Sequence, residues 1–125
     1  MIGDWLDIGP VDQIAPGNAR TLPVRGGPDP NREIAIFHTL DNTFYALVNQ
    51  CPHKQGPLSQ GIVHGNVVTC PLHSWNISLK TGQALGEGPD ELGACVPTIP
   101  LRVDAGRIYL LREAVVGQKP AARAA

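Results

Sequence analysis

The chain has 125 residues, 42% of them hydrophobic, and a formal net charge of −1. This length fits one domain, and the balanced charge argues against a surface that binds nucleic acid or an anionic membrane. Fourteen glycines and twelve prolines would interrupt helices, so we predict an all-β protein. The N-terminal sequence MIGDWLDIGP lacks the basic region of a signal peptide, and no stretch is long enough to span a bilayer, so we expect a cytoplasmic location.

Short apolar runs between the glycines and prolines predict strands. In chain order they are Ala19–Val24, Glu33–His38, Phe44–Asn49, Ile62–His64, Val67–Thr69, Trp75–Leu79, Val96–Leu101 and Arg107–Leu111. Gly65 and Asn66 predict a two-residue hairpin, residues 80–82 and 104–106 predict further turns, and residues 10–14 fit one short turn. We expect an antiparallel meander that closes into a small sandwich or barrel, because closure buries the apolar faces.

Two segments carry no strand pattern. Residues 84–94, ALGEGPDELGA, combine glycines, a proline and the acids Glu87, Asp90 and Glu91, which predicts a solvated surface loop. After Leu111 the periodicity ends in a polar, alanine-rich sequence, which predicts a flexible C-terminal tail over residues 112–125. The domain is therefore expected to span residues 1–111.

Four metal-ligand side chains occupy two short motifs. Cys51 and His53 lie in CPH, and Cys70 and His73 lie in CPLH, each motif directly after a predicted strand. The hairpin between the motifs would return the second turn beside the first, so both loops can close on one centre. One thiolate and one imidazole from each loop suit a binuclear centre in which the cysteines hold one iron and the histidines hold the other. This is the ligand set of a Rieske cluster.

The segment CPHKQGPLSQGIVHGNVVTCPLHSWNISLKTGQ, residues 51–83, resembles the cluster-binding region of Rieske [2Fe–2S] domains. The resemblance implies a Rieske-type antiparallel β sandwich or barrel with a two-loop cluster-binding subdomain. It also implies a [2Fe–2S] cluster, held by Cys51, His53, Cys70 and His73, and a role in passing single electrons.

Among Rieske domains the chain most resembles the small subunit of assimilatory NAD(P)H-dependent nitrite reductase, through CPHKQGPLSQGIVHG, CPLHSW and GPDELGACVPTIPLRV. The resemblance implies a large partner subunit, carrying flavin, siroheme and a [4Fe–4S] cluster, that reduces nitrite to ammonium in nitrate assimilation. The chain has no G-x-G-x-x-G motif for a nicotinamide cofactor, so we expect it to be an oxidoreductase subunit that is not catalytic alone.

Other interpretations of the four ligands stay open. Cysteine and histidine also build structural zinc sites, although a C-x-H step is tighter than the usual zinc pairing, and the four residues could be ordinary buried side chains. The chain could also be a free-standing Rieske ferredoxin that supplies a ring-hydroxylating dioxygenase or another redox protein. A structural or regulatory module with the Rieske fold is a further possibility.

Four other residues are given plainer roles. Cys95 lies outside the two motifs and is predicted to be a small buried hydrophobic residue at a strand start. His38 and His64 are expected to be surface or hydrogen-bonded histidines and not ligands. Trp75 either shields the cluster from water or belongs to the core, and the sequence favours neither.

Overall fold

The structure, a computed structural model, describes residues 5–24, 32–50, 57–70, 75–85 and 95–116. Within these residues there are ten strands, one helix and two 3-10 turns, at Val11–Gln13 and Leu58–Gln60. The elements are β1 (Trp5–Pro10), β2 (Ala19–Pro23), β3 (Glu33–His38), β4 (Phe44–Val48), β5 (Ile62–His64), β6 (Val67–Thr69), β7 (Asn76–Ser78), β8 (Thr98–Ile99), β9 (Leu101–Asp104), β10 (Arg107–Leu111) and α1 (Arg112–Val116). The predicted all-β fold is confirmed.

The described strands form three antiparallel sheets, with the orders β1-β10-β9, β2-β3-β4-β8 and β5-β6-β7. The core draws side chains from all three, including Ile108 of the first, Phe37 of the second and Ile77 of the third. Residues 34–37 of β3 are fully buried, since this nearly continuous apolar run lies between β2 and β4 and is covered on both faces.

The third sheet begins with the predicted hairpin, which is confirmed. Ile62 pairs with Thr69 and His64 with Val67, and Gly65 in the turn has a φ of 60°, a backbone angle that favours glycine. β7 adds to β6 with Thr69 opposite Asn76. The alternation of the strands turns Val68 and Ile77 into the core, so β6 is fixed in position directly before the CPLH motif.

Two strands differ from the sequence-based prediction. Strand β1 was not predicted, because Gly9 and Pro10 indicate a turn; the strand accommodates them through a bulge between Asp7 and Gly9. The predicted strand Val96–Leu101 is divided at Pro100, with β8 pairing with β4 and β9 pairing with β10. Proline has no N–H to continue either ladder, so the chain changes sheets at this residue.

The chain continues as helix α1 directly after Leu111, the predicted end of the domain. Val115 of this helix is buried, and the Arg32 guanidinium donates hydrogen bonds of 2.8 Å and 3.0 Å to the carbonyl oxygens of Val115 and Ala114. The folded chain therefore includes residues 112–116, and residues 117–125 of the predicted tail lie outside the described residues. Among the described helices there is none with the length and apolar character to cross a membrane.

Candidate metal centre

The second motif begins at the end of β6 with Cys70, which is 1% exposed. The Cys70 backbone N–H donates a 2.7 Å hydrogen bond to the carbonyl oxygen of Trp75, which is itself buried. This bond joins the residues on either side of positions 71–74. The predicted ligand His73 is one of these four positions, which lie outside the described residues, so of the second pair the structure places Cys70 alone.

The first motif follows β4 and lies between two fixed points. Asn49, directly after β4, accepts a 2.8 Å hydrogen bond on its side-chain oxygen from the backbone N–H of Ser59. Leu58, next to Ser59 in the 3-10 turn, is fully buried in the core. The predicted ligands Cys51 and His53 lie between these points, in residues 51–56, outside the described part of the chain.

The chain between the two motifs folds back on itself beside Gly61. Ile62 pairs with Thr69, so the chain leaving the first loop runs along the chain that enters the second at Cys70. A Cβ atom at Gly61 would lie 2.2 Å from the Thr69 carbonyl oxygen and 3.0 Å from Val68 Cγ2. Glycine is therefore required for this close approach, which the sequence analysis did not identify. The hairpin thus returns the chain that follows the first motif alongside the chain that precedes the second.

The two other histidines are hydrogen-bonded, as predicted. His38 is buried, with Nδ1 2.6 Å from the Ile14 carbonyl oxygen and Nε2 2.6 Å from Asn42 Oδ1. Its ring stacks on Phe44 with the ring centroids 4.0 Å apart. His64 is exposed, with Nε2 2.7 Å from Thr69 Oγ1. Both nitrogens of His38 are engaged, so this residue is not available as a metal ligand.

Asp41 is the acidic residue whose titration the fold perturbs most clearly among the described residues. Hydrogen bonds from the side chains of Thr39 and Thr43 hold the pKa of the Asp41 carboxyl below its ordinary value. Asp41 lies in the turn between β3 and β4, at the opposite end of this strand pair from Asn49. Its charge is therefore remote from the bases of the two loops.

The prediction that Cys95 is buried is wrong. Cys95 is exposed and forms an isolated bridge with Gln83, whereas the next residue, Val96, is buried. The alternation of an extended chain explains the difference, because turning Val96 inward turns Cys95 outward. Residues 86–94 of the predicted loop, with Glu87, Asp90 and Glu91, lie outside the described residues.

The Rieske [2Fe-2S] domain model matches residues 4–100 of the chain. The chain belongs to the Rieske [2Fe-2S] domain family. Membership of this family implies a Rieske-type [2Fe–2S] cluster and a role in electron transfer. The buried Cys70 at the end of β6 fits such a group, because a thiolate sheltered from water is a ligand that iron–sulfur clusters use.

Similar proteins include ferredoxins of dioxygenase systems and a nitrite reductase small subunit. The 3-phenylpropionate/cinnamic acid dioxygenase ferredoxin subunit of Photorhabdus laumondii is 35% identical, over 80% of this chain and 87% of that protein. The ferredoxin component of the naphthalene 1,2-dioxygenase/salicylate 5-hydroxylase systems of a Ralstonia species is 29% identical, over 90% of this chain and all of that protein. A crystal structure assigned as the NADH-dependent nitrite reductase small subunit of Mycobacterium tuberculosis is 26% identical, with a TM-score of 0.72, over 88% of this chain and 96% of that one.

Proposed function

We propose that Cys51, His53, Cys70 and His73 hold the [2Fe–2S] cluster, with both cysteines on one iron and both histidines on the other. The two C-x-H and C-x-x-H motifs supply this ligand set, and the pairing of Ile62 with Thr69 supports it by bringing the bases of the two loops together. When bound, the cluster accepts and donates one electron at a higher potential than an all-cysteine cluster of the plant-type ferredoxins.

Described residues that flank both motifs are buried. Leu58, which follows the first motif, is fully buried, and Trp75, which follows the second, is 8% exposed. The hydrogen bond from Cys70 N–H to the Trp75 carbonyl oxygen joins the residues on either side of positions 71–74. Burial on this side limits access of water to the sulfur of Cys70, and limited solvent access is one of the factors that set cluster potentials.

We further propose that the chain is the small subunit of an assimilatory NAD(P)H-dependent nitrite reductase in the cytoplasm. The observation that carries this proposal is the resemblance that extends past the cluster motifs into GPDELGACVPTIPLRV. The described end of this segment is part of the fold. Val96 N–H donates a 2.7 Å hydrogen bond to the Gly82 carbonyl oxygen, and Thr98–Ile99 pairs with β4. The partner would be a large subunit with flavin, siroheme and a [4Fe–4S] cluster, to which this chain would pass single electrons.

A second candidate is a separate ferredoxin that supplies electrons to a ring-hydroxylating dioxygenase. The two ferredoxin relatives, at 35% and 29% identity over most of this chain, favour it. Both candidates use the same cluster in the same fold. They differ in the partner that receives the electron. A test that separates them therefore measures the metabolic reaction that each partner would carry out.

Deleting the gene for this chain in its source organism separates the two candidates. We expect the deletion strain to lose growth on nitrite as the sole nitrogen source and to keep growth on ammonium, because nitrite reduction then lacks its small subunit. Growth on each nitrogen source is the measurement, with the native gene restored as a control. Normal growth on nitrite, together with lost growth on an aromatic carbon source, would instead support the dioxygenase ferredoxin.

A further inference from the structure

The side chain of Asn49 connects three elements at the base of the first loop. Asn49 is 6% exposed and lies directly after β4. Its Nδ2 donates a 2.8 Å hydrogen bond to Glu33 Oε1 at the start of β3, and its Oδ1 accepts a 2.8 Å hydrogen bond from Ser59 N–H in the 3-10 turn. The Asn49 backbone N–H also donates to the Glu33 carbonyl oxygen at 2.8 Å. We call Glu33, Asn49 and Ser59 the Asn49 clamp.

The chemistry of the 3-10 turn explains why a distant side chain is needed. The first N–H groups of any helical turn have no partner within the turn and are commonly satisfied by a side chain at the N-cap. Pro57 occupies the N-cap position here, and a proline side chain has no acceptor atom. Asn49, ten residues earlier in the chain, supplies the acceptor to Ser59 instead.

The Asn49 side chain therefore ties together the two ends of the segment 50–58. The second end is also held by Leu58, which is fully buried, and the first end by the hydrogen bond from Asn49 N–H to the Glu33 carbonyl oxygen of β3. A buried amide that lost either partner would leave a polar group unsatisfied, which is unfavourable because that group has given up its hydrogen bonds to water. The closed geometry is thus strongly favoured over one in which the two ends of the segment separate.

We propose that Asn49 is a positioning residue for the first cluster-binding loop. By tying Ser59 to Glu33 it sets the distance between the ends of the loop, and so holds Cys51 and His53 where they can ligate the iron atoms. The inference rests on the proposed function. Groups that orient metal ligands without touching the metal commonly change metal retention by about ten- to a hundredfold when they are removed.

The test compares the release of iron from reduced holoprotein to a ferrous chelator. We expect Asn49→Ala to release iron about ten- to a hundredfold faster than the native protein. Asn49→Asp should also release iron faster, because its carboxylate would face that of Glu33. In the double variant Asn49→Asp with Glu33→Gln, the amide introduced at position 33 can donate to the carboxylate introduced at position 49. The second oxygen of that carboxylate can still accept from Ser59 N–H, so this double variant should return to the native rate.

Thr39→Val is the matched control for a general loss of stability. Thr39 is fully buried at the opposite end of the β3–β4 pair, and its hydroxyl oxygen accepts a 3.1 Å hydrogen bond from the Thr43 backbone N–H. We expect this variant to unfold at a lower denaturant concentration and to release iron at the native rate. If Asn49→Ala fails to fold, the comparison of Asn49→Asp with the double variant carries the test.

The possible outcomes separate the inference from the proposed function. Iron release that is equally fast in Thr39→Val and Asn49→Ala, or a double variant no slower than Asn49→Asp, overturns the role of Asn49. A native rate in Asn49→Ala holoprotein overturns it as well. A native protein that purifies without iron overturns the proposed function itself.

Discussion

Cys70→Ser is expected to abolish cluster assembly, from about two iron atoms per chain to almost none. The Cys70 side chain is buried at the base of the second loop, where a thiolate would be sheltered from water. A serine hydroxyl is a harder and far less acidic ligand than a thiol, so it does not replace a thiolate on iron. Iron and sulfide content and the visible absorption of anaerobically purified protein are the measurements.

Cys95→Ser is the matched control for Cys70→Ser. Cys95 is exposed, and its backbone forms an isolated β-bridge with Gln83. Its replacement should therefore leave the iron content and the colour at native levels. Cys51→Ser should behave like Cys70→Ser, since the two cysteines are proposed to share one iron. A colourless Cys95→Ser protein, or a Cys70→Ser protein with full iron content, would show that the ligands are wrongly assigned.

Gly82→Ala is expected to lower the free energy of unfolding by about 3 kcal/mol, combining the costs of positive φ and of steric overlap. Gly82 has a φ of 79°, and a Cβ atom there would lie 2.1 Å from the Val96 carbonyl oxygen. Because the overlap is with backbone, it cannot be relieved by turning a side chain. The hydrogen bond from Val96 N–H to the Gly82 carbonyl oxygen would be strained as well. Denaturant unfolding monitored by circular dichroism measures the loss.

Gly106→Ala isolates the contribution of the backbone angle. Gly106 has a φ of 76°, close to that of Gly82, but a Cβ atom there would have no neighbour within 4 Å among the described residues. Its expected cost is about 1 kcal/mol, from the left-handed conformation alone. Equal losses in the two variants would mean that the approach of Gly82 to Val96 is not tight in solution.

Local sequence patterns predicted most strands, since their signals lie within a few residues. The runs Glu33–His38, Ile62–His64, Val67–Thr69 and Arg107–Leu111 form strands with the predicted bounds. Features that depend on distant residues were missed. Helix α1 is held in part by Arg32, 83 residues before Val115, and Cys95 is exposed because Val96 takes the inward position.

The same distinction applies to the candidate site. Ligand types and spacing identified the two motifs, and the hairpin predicted between them at Gly65 is confirmed by the pairing of β5 with β6. The hydrogen bond between Asn49 and Ser59 was not visible in the sequence. An asparagine two residues before CPH carries no local signal that its side chain bonds to a residue ten positions later. Likewise, the need for glycine at position 61 arises only when β5 lies against β6.

Pulsed electron paramagnetic resonance of the reduced native protein tests the central claim most directly. We expect the signal of a reduced [2Fe–2S] cluster with couplings from two directly bound imidazole nitrogens, because two histidines on one iron distinguish a Rieske centre from an all-cysteine cluster. Replacing His53 or His73 should remove these paired couplings. A protein that holds stoichiometric zinc and no iron, or a cluster signal without nitrogen coupling, would contradict the account.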